Sequence, residues 1–318
     1  MNKEPVIRTR NLSVEFQVGT FSVNALNDVN VSIYDGEVLC LLGESGSGKS
    51  VFGNSILRLH PDNALVKGEI YFNGREILSL SDKEFLPLRG GDLAWVPQSA
   101  ASSLNPLKSI GVQVDEVYRL HVENDKKKAR DNTIDLFRLL GLPRLPELAK
   151  DYPHELSGGM KQRVLVAMGT SAFPKFIVID EPTKGLDAVR KREVIERIGV
   201  MQKKHNATML LITHDVAVAE SLANDIGVMY AGEIVEYGSK NEVLHAPKHP
   251  YTKGLLAALP QNGFHAIKGF SPSTADMPAG CRFNPRCPEC KQDCIDGHPE
   301  LKMSDAQRHV ARCYHAGI

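Results

Sequence analysis

The sequence lacks a charge excess of either sign and lacks any long apolar run. Its 318 residues carry 38 Lys and Arg against 38 Asp and Glu, so the formal net charge is zero at pH 7. A balanced chain offers no overall field that attracts nucleic acid or an anionic bilayer. No segment reaches the roughly 18 to 20 apolar residues that a membrane-spanning helix needs, and residues 1–10 contain no signal-peptide stretch. We therefore expect a cytoplasmic chain.

Cysteine is scarce outside the C-terminal segment. Cys40 stands alone in an apolar run, and the others follow residue 280: Cys281, Cys287, Cys290, Cys294 and Cys313. Cytosolic thiols stay reduced, so this clustering indicates a metal before it indicates disulfides. Four thiolates can bind a [4Fe–4S] cluster. The CxxC pair that begins at Cys287 could instead bind zinc, with other cysteines or His298 completing the site, and disulfides or unused thiols stay open.

Strands and helices alternate along the rest of the chain. Residues 6–42 are rich in β-branched and apolar residues and predict strands, the last of them buried on both faces. Apolar residues spaced by three and four predict helices between about Leu104 and Arg144, and the run FIVID at 176–180 predicts another buried strand. This alternation predicts an α/β fold whose central sheet is mostly parallel.

A change of composition near residue 260 indicates a domain boundary. A Gly/Ser/Pro stretch near residues 263–280 is followed by the cysteine-rich tail. We expect one domain at 1–260 and a small, loop-rich, metal-binding extension at 261–318.

Residues 43–50 match the phosphate-binding pattern GxxxxGK[ST], after a predicted strand and at the start of a predicted helix. Glycines let the backbone curl so that N–H groups face the phosphates, and the helix N-terminus adds partial positive charge. Lys49 is expected to neutralise the β- and γ-phosphates, and Ser50 to bind Mg²⁺. The predicted nucleotide contacts of this loop are Gly43, Ser45, Gly46, Ser47, Gly48, Lys49, Ser50 and Val51.

Two carboxylates follow the strand predicted at 176–180. Ligands of open α/β sheets bind at the carboxyl ends of strands, where Asp180 and Glu181 lie. We expect Asp180 to bind Mg²⁺ and Glu181 to polarise the attacking water. An acidic pair at a strand end is by itself more often a turn or a helix cap, and only the phosphate loop favours the catalytic interpretation.

The segment LSGGMKQR at 156–163 resembles the signature sequence of ABC ATPases. The resemblance implies a P-loop NTPase with a β-rich N-terminal subdomain, a RecA-like core and a helical subdomain at about 99–165. It also implies a head-to-tail dimer in which Ser157, Gly158 and Gly159 close over the γ-phosphate bound by the other subunit. Further matches to the family pattern are Gln98 as the Q-loop residue that senses Mg²⁺ and water, Asp187 in the D-loop and His214 as the switch histidine.

Adenine stacks on an aromatic residue of the first β-hairpin in the family that this sequence resembles. Phe16 is the candidate, with Phe21 as the alternative. Either ring could instead belong to the core of the hairpin.

Residues 102–117 and 249–260 resemble segments of the ATPases of oligopeptide, dipeptide and nickel permeases. The tail resembles theirs as well, through a pattern of the form GCxFxPRC. This resemblance implies that Cys281, Cys287, Cys294 and Cys313 bind a [4Fe–4S] cluster. Zinc, with Cys290 among its ligands, is the alternative metal.

The resemblance implies an ATPase that energises an importer for peptides or for a small cargo such as nickel. Its expected partners are integral-membrane permease subunits, a second ABC ATPase (a related chain or a second copy) and, indirectly, an extracytoplasmic binding protein. We expect it at the inner face of the cell membrane. A soluble ATPase that acts on nucleic acid or ribosomes is the alternative, but the chain has one cassette, no heptad run and no basic excess. A regulatory subunit with a dead site is disfavoured by Lys49, Glu181 and His214.

Overall fold

The computed structural model describes residues 4–273, 276–301 and 309–316, so parts of the predicted extension at 261–318 lie outside the described residues. The strands of the described residues are β1 (Ile7–Val18), β2 (Phe21–Ile33), β3 (Val38–Leu42), β4 (Ala64–Phe72), β5 (Arg75–Glu76), β6 (Leu93–Val96), β7 (Phe176–Asp180), β8 (Thr208–Ile212), β9 (Asp225–Tyr230), β10 (Glu233–Ser239) and β11 (Val310–Ala311).

The α-helices of the same residues are α1 (Lys49–Leu57), α2 (Asp82–Phe85), α3 (Ala100–Ser103), α4 (Ile110–His121), α5 (Lys126–Leu139), α6 (Gly158–Thr170), α7 (Ala188–His205), α8 (Val216–Leu222), α9 (Lys240–His245), α10 (Pro250–Ala257) and α11 (Gln292–Asp296). Short 3₁₀ helices span Glu147–Lys150, Pro153–Glu155, Pro260–Asn262 and Asn284–Arg286. Every helix among the described residues is too short or too polar to cross a lipid bilayer.

The chain folds into two compact units. The first consists of Met1–Ile7, Ile33–Glu37 and Phe72–Leu211, and the second of Arg8–Ser32, Val38–Tyr71 and Ile212–Ile318. The phosphate loop and the cysteine-rich segment therefore belong to the same unit. The boundary near residue 260 stays a prediction from composition.

In the first unit, parallel strands carry the acidic pair. Strands β6 and β7 pair in parallel, with Leu93 opposite Phe176 and Val96 opposite Ile179, and β8 is the other neighbour of β7. All residues of β7 and β8 are buried, as expected for parallel strands covered on both faces. The strand predicted from the FIVID run is confirmed with the same bounds.

The helical region predicted between about Leu104 and Arg144 contains two separate helices, α4 and α5. Asp125 caps α5, because its carboxylate accepts the N–H groups of Lys127 and Lys128 at 2.8 and 3.0 Å. The polar run that begins at residue 126 is thus the first turn of a helix. Arg130 joins α5 to α4 through Asp115, with 2.6 Å between Nη2 and Oδ2.

In the second unit, β2, β1 and β4 are neighbours in one sheet, and β11, β10, β9 and β3 follow one another in a second. Strand β3 pairs with β9 in parallel, whereas β9 and β10 are antiparallel. Every residue of β3 is buried. The β-rich N-terminal region and the buried strand before the phosphate loop are confirmed.

Aromatic rings pack the cysteine-rich segment into the second unit. The ring centroid of Phe283 lies 5.2 Å from that of Tyr230 and 5.5 Å from that of Tyr251. All three side chains are buried. Strand β11 adds to β10, with Val310 opposite Tyr237. Burial of this much aromatic surface is a main source of stability for the segment.

Candidate nucleotide site

The phosphate loop connects β3 to α1 in the second unit. Gly43, Gly46 and Gly48 have φ angles of 154°, 81° and 103°, a range that favours glycine. A Cβ at Gly43 would collide with the carbonyl oxygen of Met229, and a Cβ at Gly48 would lie 2.8 Å from that of Ala25. These two glycines are required by the close approach of neighbouring backbone as well as by their conformation.

The ammonium group of Lys49 lies inside the curl of the loop. Its Nζ donates to the carbonyl oxygens of Gly43 and Glu44, each at 2.8 Å, and lies 3.3 Å from Ser47 Oγ. The residue is only 6% exposed. Burial of an ammonium group is costly unless it is hydrogen-bonded, and the loop oxygens supply these bonds. Ser45, Gly46 and Ser50 are exposed, and Gly48 and Val51 are half-buried.

The predicted switch histidine follows β8. The N–H of Thr213 donates to the carbonyl oxygen of Leu41 in β3 at 3.1 Å. His214 comes next and is exposed, and Asp215 caps α8 by accepting the N–H of Ala217 at 3.1 Å. His214 therefore follows a residue that is bonded to the strand before the phosphate loop.

In the first unit, the residues predicted to act on Mg²⁺ and water follow β6 and β7. Gln98 comes just after β6, and Asp180 ends β7, so both lie at the carboxyl edge of one parallel pair. Asp180 and Glu181 are 5% and 8% exposed, whereas Gln98 is exposed. Glu181 has φ of 46°, which is uncommon outside glycine, so the chain turns sharply directly after β7.

The predicted signature and D-loop residues begin two helices of the first unit. Ser157 is the N-cap of α6, and its Oγ accepts the N–H of Met160 at 3.4 Å. Asp187 is the N-cap of α7 and accepts the N–H of Arg190 at 3.0 Å, a bond that lowers the pKa of Asp187. Ser157 and Gly158 are exposed. The start of α6 therefore presents a helix N-terminus, which favours anions.

Two family models match the chain. Residues 26–184 match the family described as ABC transporter, and residues 235–294 match the oligopeptide/dipeptide transporter C-terminal region. The chain belongs to the ABC transporter family. The resemblance inferred from the signature sequence is confirmed, and so is the relation of the tail to oligopeptide and dipeptide permeases.

Relatives match this ABC transporter chain over almost its whole length. The oligopeptide transport ATP-binding protein AppD of Bacillus subtilis (strain 168) is 36% identical over 316 residues, which cover 97% of this chain and 96% of AppD. The dipeptide transport ATP-binding protein DppD of Escherichia coli (strain K12) is 38% identical over 311 residues, which cover 96% of this chain and 94% of DppD.

A solved structure extends the similarity to the fold. The dimeric post-hydrolysis state of the ATP-binding cassette MJ0796, bound to ADP and Pi, matches with a TM-score of 0.66 and 25% identity, covering 74% of this chain and 98% of that one. The predicted P-loop α/β fold of an ABC ATPase is confirmed. This ABC transporter chain is an ATP-hydrolysing subunit.

The two candidate adenine-stacking rings of this ABC transporter subunit differ in their surroundings. Phe16 is half-buried, and its ring lies edge-on to His60 with 5.8 Å between centroids. Phe21 is 70% exposed. Phe16 thus packs on His60, which lies between α1 and β4, and the stacking role stays a prediction.

The six cysteines of this ABC transporter subunit are free thiols. Burial raises the pKa of Cys281 and of Cys287 to about 11, and neighbouring thiolates raise both further. Burial, followed by the charge of Cys294, likewise raises the pKa of Cys313. The N–H of Cys281 donates to the carbonyl oxygen of Cys294 at 2.9 Å. The four predicted cluster ligands thus come close enough to influence one another.

Sequence reasoning missed two carboxylates that bind arginines of the tail. Glu233 is 1% exposed and lies 3.1 Å from Arg282 Nε. Glu44, within the phosphate loop, binds Arg286, which is 242 residues away in the sequence. Arg282 and Arg286 stand out in the sequence because they lie between the first two tail cysteines, but no sequence pattern indicates which carboxylates they bind.

Proposed function

We propose that this ATPase energises a membrane importer for peptides. The observation that carries the proposal is the match of residues 235–294 to the C-terminal region of oligopeptide and dipeptide transporters, in a chain with a complete phosphate loop. Relatives named for oligopeptide and dipeptide transport support a peptide cargo. Nickel is the alternative cargo of the same kind of permease.

Residues 43–51 bind the triphosphate in this proposal. Lys49 exchanges its bonds to loop carbonyls for bonds to the β- and γ-phosphates, and the backbone N–H groups at the start of α1 bind the same anion. The hydroxyl of Ser50, the carboxylate of Asp180 and the amide oxygen of Gln98 are the hard oxygen ligands that Mg²⁺ prefers, and we assign all three to the metal. Phe16 stacks on adenine.

Glu181 polarises the attacking water, and His214 contacts the γ-phosphate. In the proposed head-to-tail dimer, Ser157, Gly158 and Gly159 of one subunit bind the γ-phosphate that the other subunit holds, and Asp187 lines the interface. In this mechanism, the hydrogen-bond donors of both subunits are already in place around the γ-phosphate, where negative charge develops during hydrolysis.

The proposed partners follow from the family. A second ABC ATPase completes the dimer, and the helical subdomain at about 99–165, within the ABC domain at 1–260, contacts integral-membrane permease subunits at the inner face of the cell membrane. An extracytoplasmic binding protein delivers the cargo. No nucleic acid takes part.

The choice of base is tested by Glu181→Gln. We expect the variant to bind ATP like the wild type but to hydrolyse it about 10²-fold to 10⁴-fold more slowly, the usual contribution of a general base. Glu196→Gln, on the exposed side of α7, is the matched control and should hydrolyse normally. Undiminished hydrolysis by Glu181→Gln rejects this residue as the base.

The cargo is tested by uptake. In cells that lack the chain, wild-type protein should restore uptake of a labelled dipeptide, and Glu181→Gln should not. Restoration of nickel uptake without dipeptide uptake would reject the peptide cargo and keep the ATPase role.

We further propose a [4Fe–4S] cluster on Cys281, Cys287, Cys294 and Cys313. Among the described residues, no three of the cysteine sulfurs lie within 4.8 Å of one another. Among the same residues, the candidate metal ligands that do lie this close are Asp293, Cys294 and His315. The cluster is therefore proposed from the resemblance of the tail to the peptide-permease ATPases and not from the spacing of the sulfurs. Burial, followed by the charges of neighbouring thiolates, raises the pKa values of Cys281, Cys287 and Cys313, and the positive charge of a bound metal would offset this repulsion. In this proposal, the bonds from the four cysteines to the cluster cross-link the extension at 261–318 and stabilise its fold.

Metal analysis of anaerobically purified protein tests the cluster. About four irons and four sulfides per chain support it. A content of about one zinc per chain instead rejects the cluster and indicates a zinc site, with Cys290 or His298 among its ligands.

A further inference from the structure

The second unit brings the cysteine-rich segment against the phosphate loop. Arg286 immediately precedes Cys287, and its guanidinium binds the carboxylate of Glu44, the second residue of the loop. The distances are 3.0 Å from Nη1 to Oε2 and 3.2 Å from Nη2 to Oε1. Two parallel bonds of this kind are the strong fork geometry of arginine with a carboxylate. The side chain of Arg286 is only 6% exposed.

Further groups fix the same pair. Ser271 Oγ donates to Glu44 Oε2 at 2.7 Å, and the hydroxyl of Tyr251 accepts the N–H of Glu44 at 3.0 Å. The guanidinium of Arg286 lies 5.7 Å from the ring centroid of Tyr230. The side chain and the backbone of Glu44 are therefore both held in place.

A second arginine of the same segment reaches the loop indirectly. Arg282 Nη1 donates to the carbonyl oxygen of Ala231. The next residue, Gly232, donates its N–H to the carbonyl oxygen of Ser47 at 2.9 Å. Arg286 thus binds the loop directly, near its beginning. Arg282 binds the residue before Gly232, which in turn binds the loop near its end.

We propose that Arg286 is a positioning residue for nucleotide binding, which neutralises and orients Glu44 so that the phosphate loop accepts a polyphosphate. The inference rests on the proposed function of that loop. The carbonyl oxygen of Glu44 also accepts a bond from Lys49 at 2.8 Å, so movement of Glu44 displaces the phosphate-binding lysine. A Glu44 carboxylate without its arginine repels the phosphates. Nucleotide affinity therefore depends on the order of the cysteine-rich segment.

The dissociation constant for ATP with Mg²⁺, measured by calorimetry on the anaerobically purified full chain, tests this role. Arg286→Gln should raise Kd about tenfold, and Arg286→Lys should raise it less, because lysine keeps the charge but loses the fork. Lys253→Gln removes the same charge from an exposed position of the same unit and should leave Kd unchanged. Thermal unfolding of each variant shows whether it is folded.

Removal of the Glu44 carboxylate distinguishes a positioning role of Arg286 from a merely structural one. In the double variant Glu44→Gln, Arg286→Gln, the repulsion is gone, so Kd should return to within about threefold of the wild type. An unchanged Kd in Arg286→Gln, or a double variant that binds as weakly as the single one, overturns the inference. If Arg286→Gln does not fold, an unchanged Kd in Arg286→Lys overturns it. Wild-type protein that binds no ATP instead rejects the proposed function and the inference with it.

Discussion

His298 and Glu233 form an ion pair in the second unit, with 3.1 Å between His298 Nε2 and Glu233 Oε1. Arg282 Nε lies 3.1 Å from the same oxygen. Burial raises the pKa of Glu233, but the hydrogen bond from His298 and the charges of Arg282 and Arg312 outweigh burial and leave the pKa below its usual value. One buried carboxylate of β10 thus binds three basic side chains of the tail.

Because of the ion pair between His298 and Glu233, we expect the free energy of unfolding to depend on pH. The bond to Glu233 raises the pKa of His298. A raised pKa in the folded state adds stability that is fully present below the ordinary histidine pKa of about 6.5 and is lost as the pH rises through the folded-state value. Glu233, with its lowered pKa, stays ionised throughout this window.

We therefore expect His298→Gln to lower the free energy of unfolding by about 1 kcal/mol at about pH 5.5 and by less at about pH 9. Chemical denaturation of both proteins at the two pH values measures the difference. If His298→Gln lowers the free energy of unfolding as much at about pH 9 as at about pH 5.5, the ion pair with Glu233 does not stabilise the protein in the expected way.

Lys49→Ala should weaken ATP binding at least tenfold, because charge-assisted hydrogen bonds contribute about 1.5–3 kcal/mol each. Calorimetric titration with ATP and Mg²⁺ measures this change. Lys67→Ala is the matched control, since this lysine is 62% exposed and pairs only loosely with Glu15, at 3.7 Å. Equal affinities of the two variants would remove Lys49 from the phosphate site.

Arg163→Met should destabilise the first unit. Arg163 Nη1 in α6 donates to the carbonyl oxygen of Gly141 at 2.9 Å and lies 2.7 Å from Glu193 Oε1 in α7. The side chain is 7% exposed, so its loss leaves a carbonyl group poorly satisfied and costs about 2–3 kcal/mol. Urea denaturation should show almost no change in Arg138→Met, whose partner Asp135 is exposed. Similar midpoints for the two variants contradict the expectation.

Phe283→Ala should loosen the cysteine-rich segment. The buried ring packs on Tyr230 and Tyr251, and its truncation should cost about 3–5 kcal/mol. Phe270→Ala removes a ring that is 94% exposed and should change little. Limited proteolysis with mass spectrometry should show faster cleavage after residue 260 in Phe283→Ala alone. Equal cleavage of both variants shows that the ring does not anchor the segment.

The buried strands and the phosphate loop could be predicted because their signals are local. Strand β7 is a short apolar run with the same bounds in sequence and structure. Residues 126–128 form the polar first turn of α5, which Asp125 caps. A local pattern defines a helix well because its hydrogen bonds join residues four positions apart, and it defines a strand buried on both faces because such a strand is a continuous apolar run.

The family, the order of its motifs and the identification of an ATPase follow from the sequence, since each motif consists of residues that are adjacent along the chain. The bond between Arg286 and Glu44, and the sharing of Glu233 by His298 and Arg282, are seen only in the folded chain. These partners are separated by long stretches of chain, and many other carboxylates are available to each cation. The packing of Phe283 and the pairing of β11 with β10 select the partners, because they fix where the cysteine-rich segment lies within the second unit.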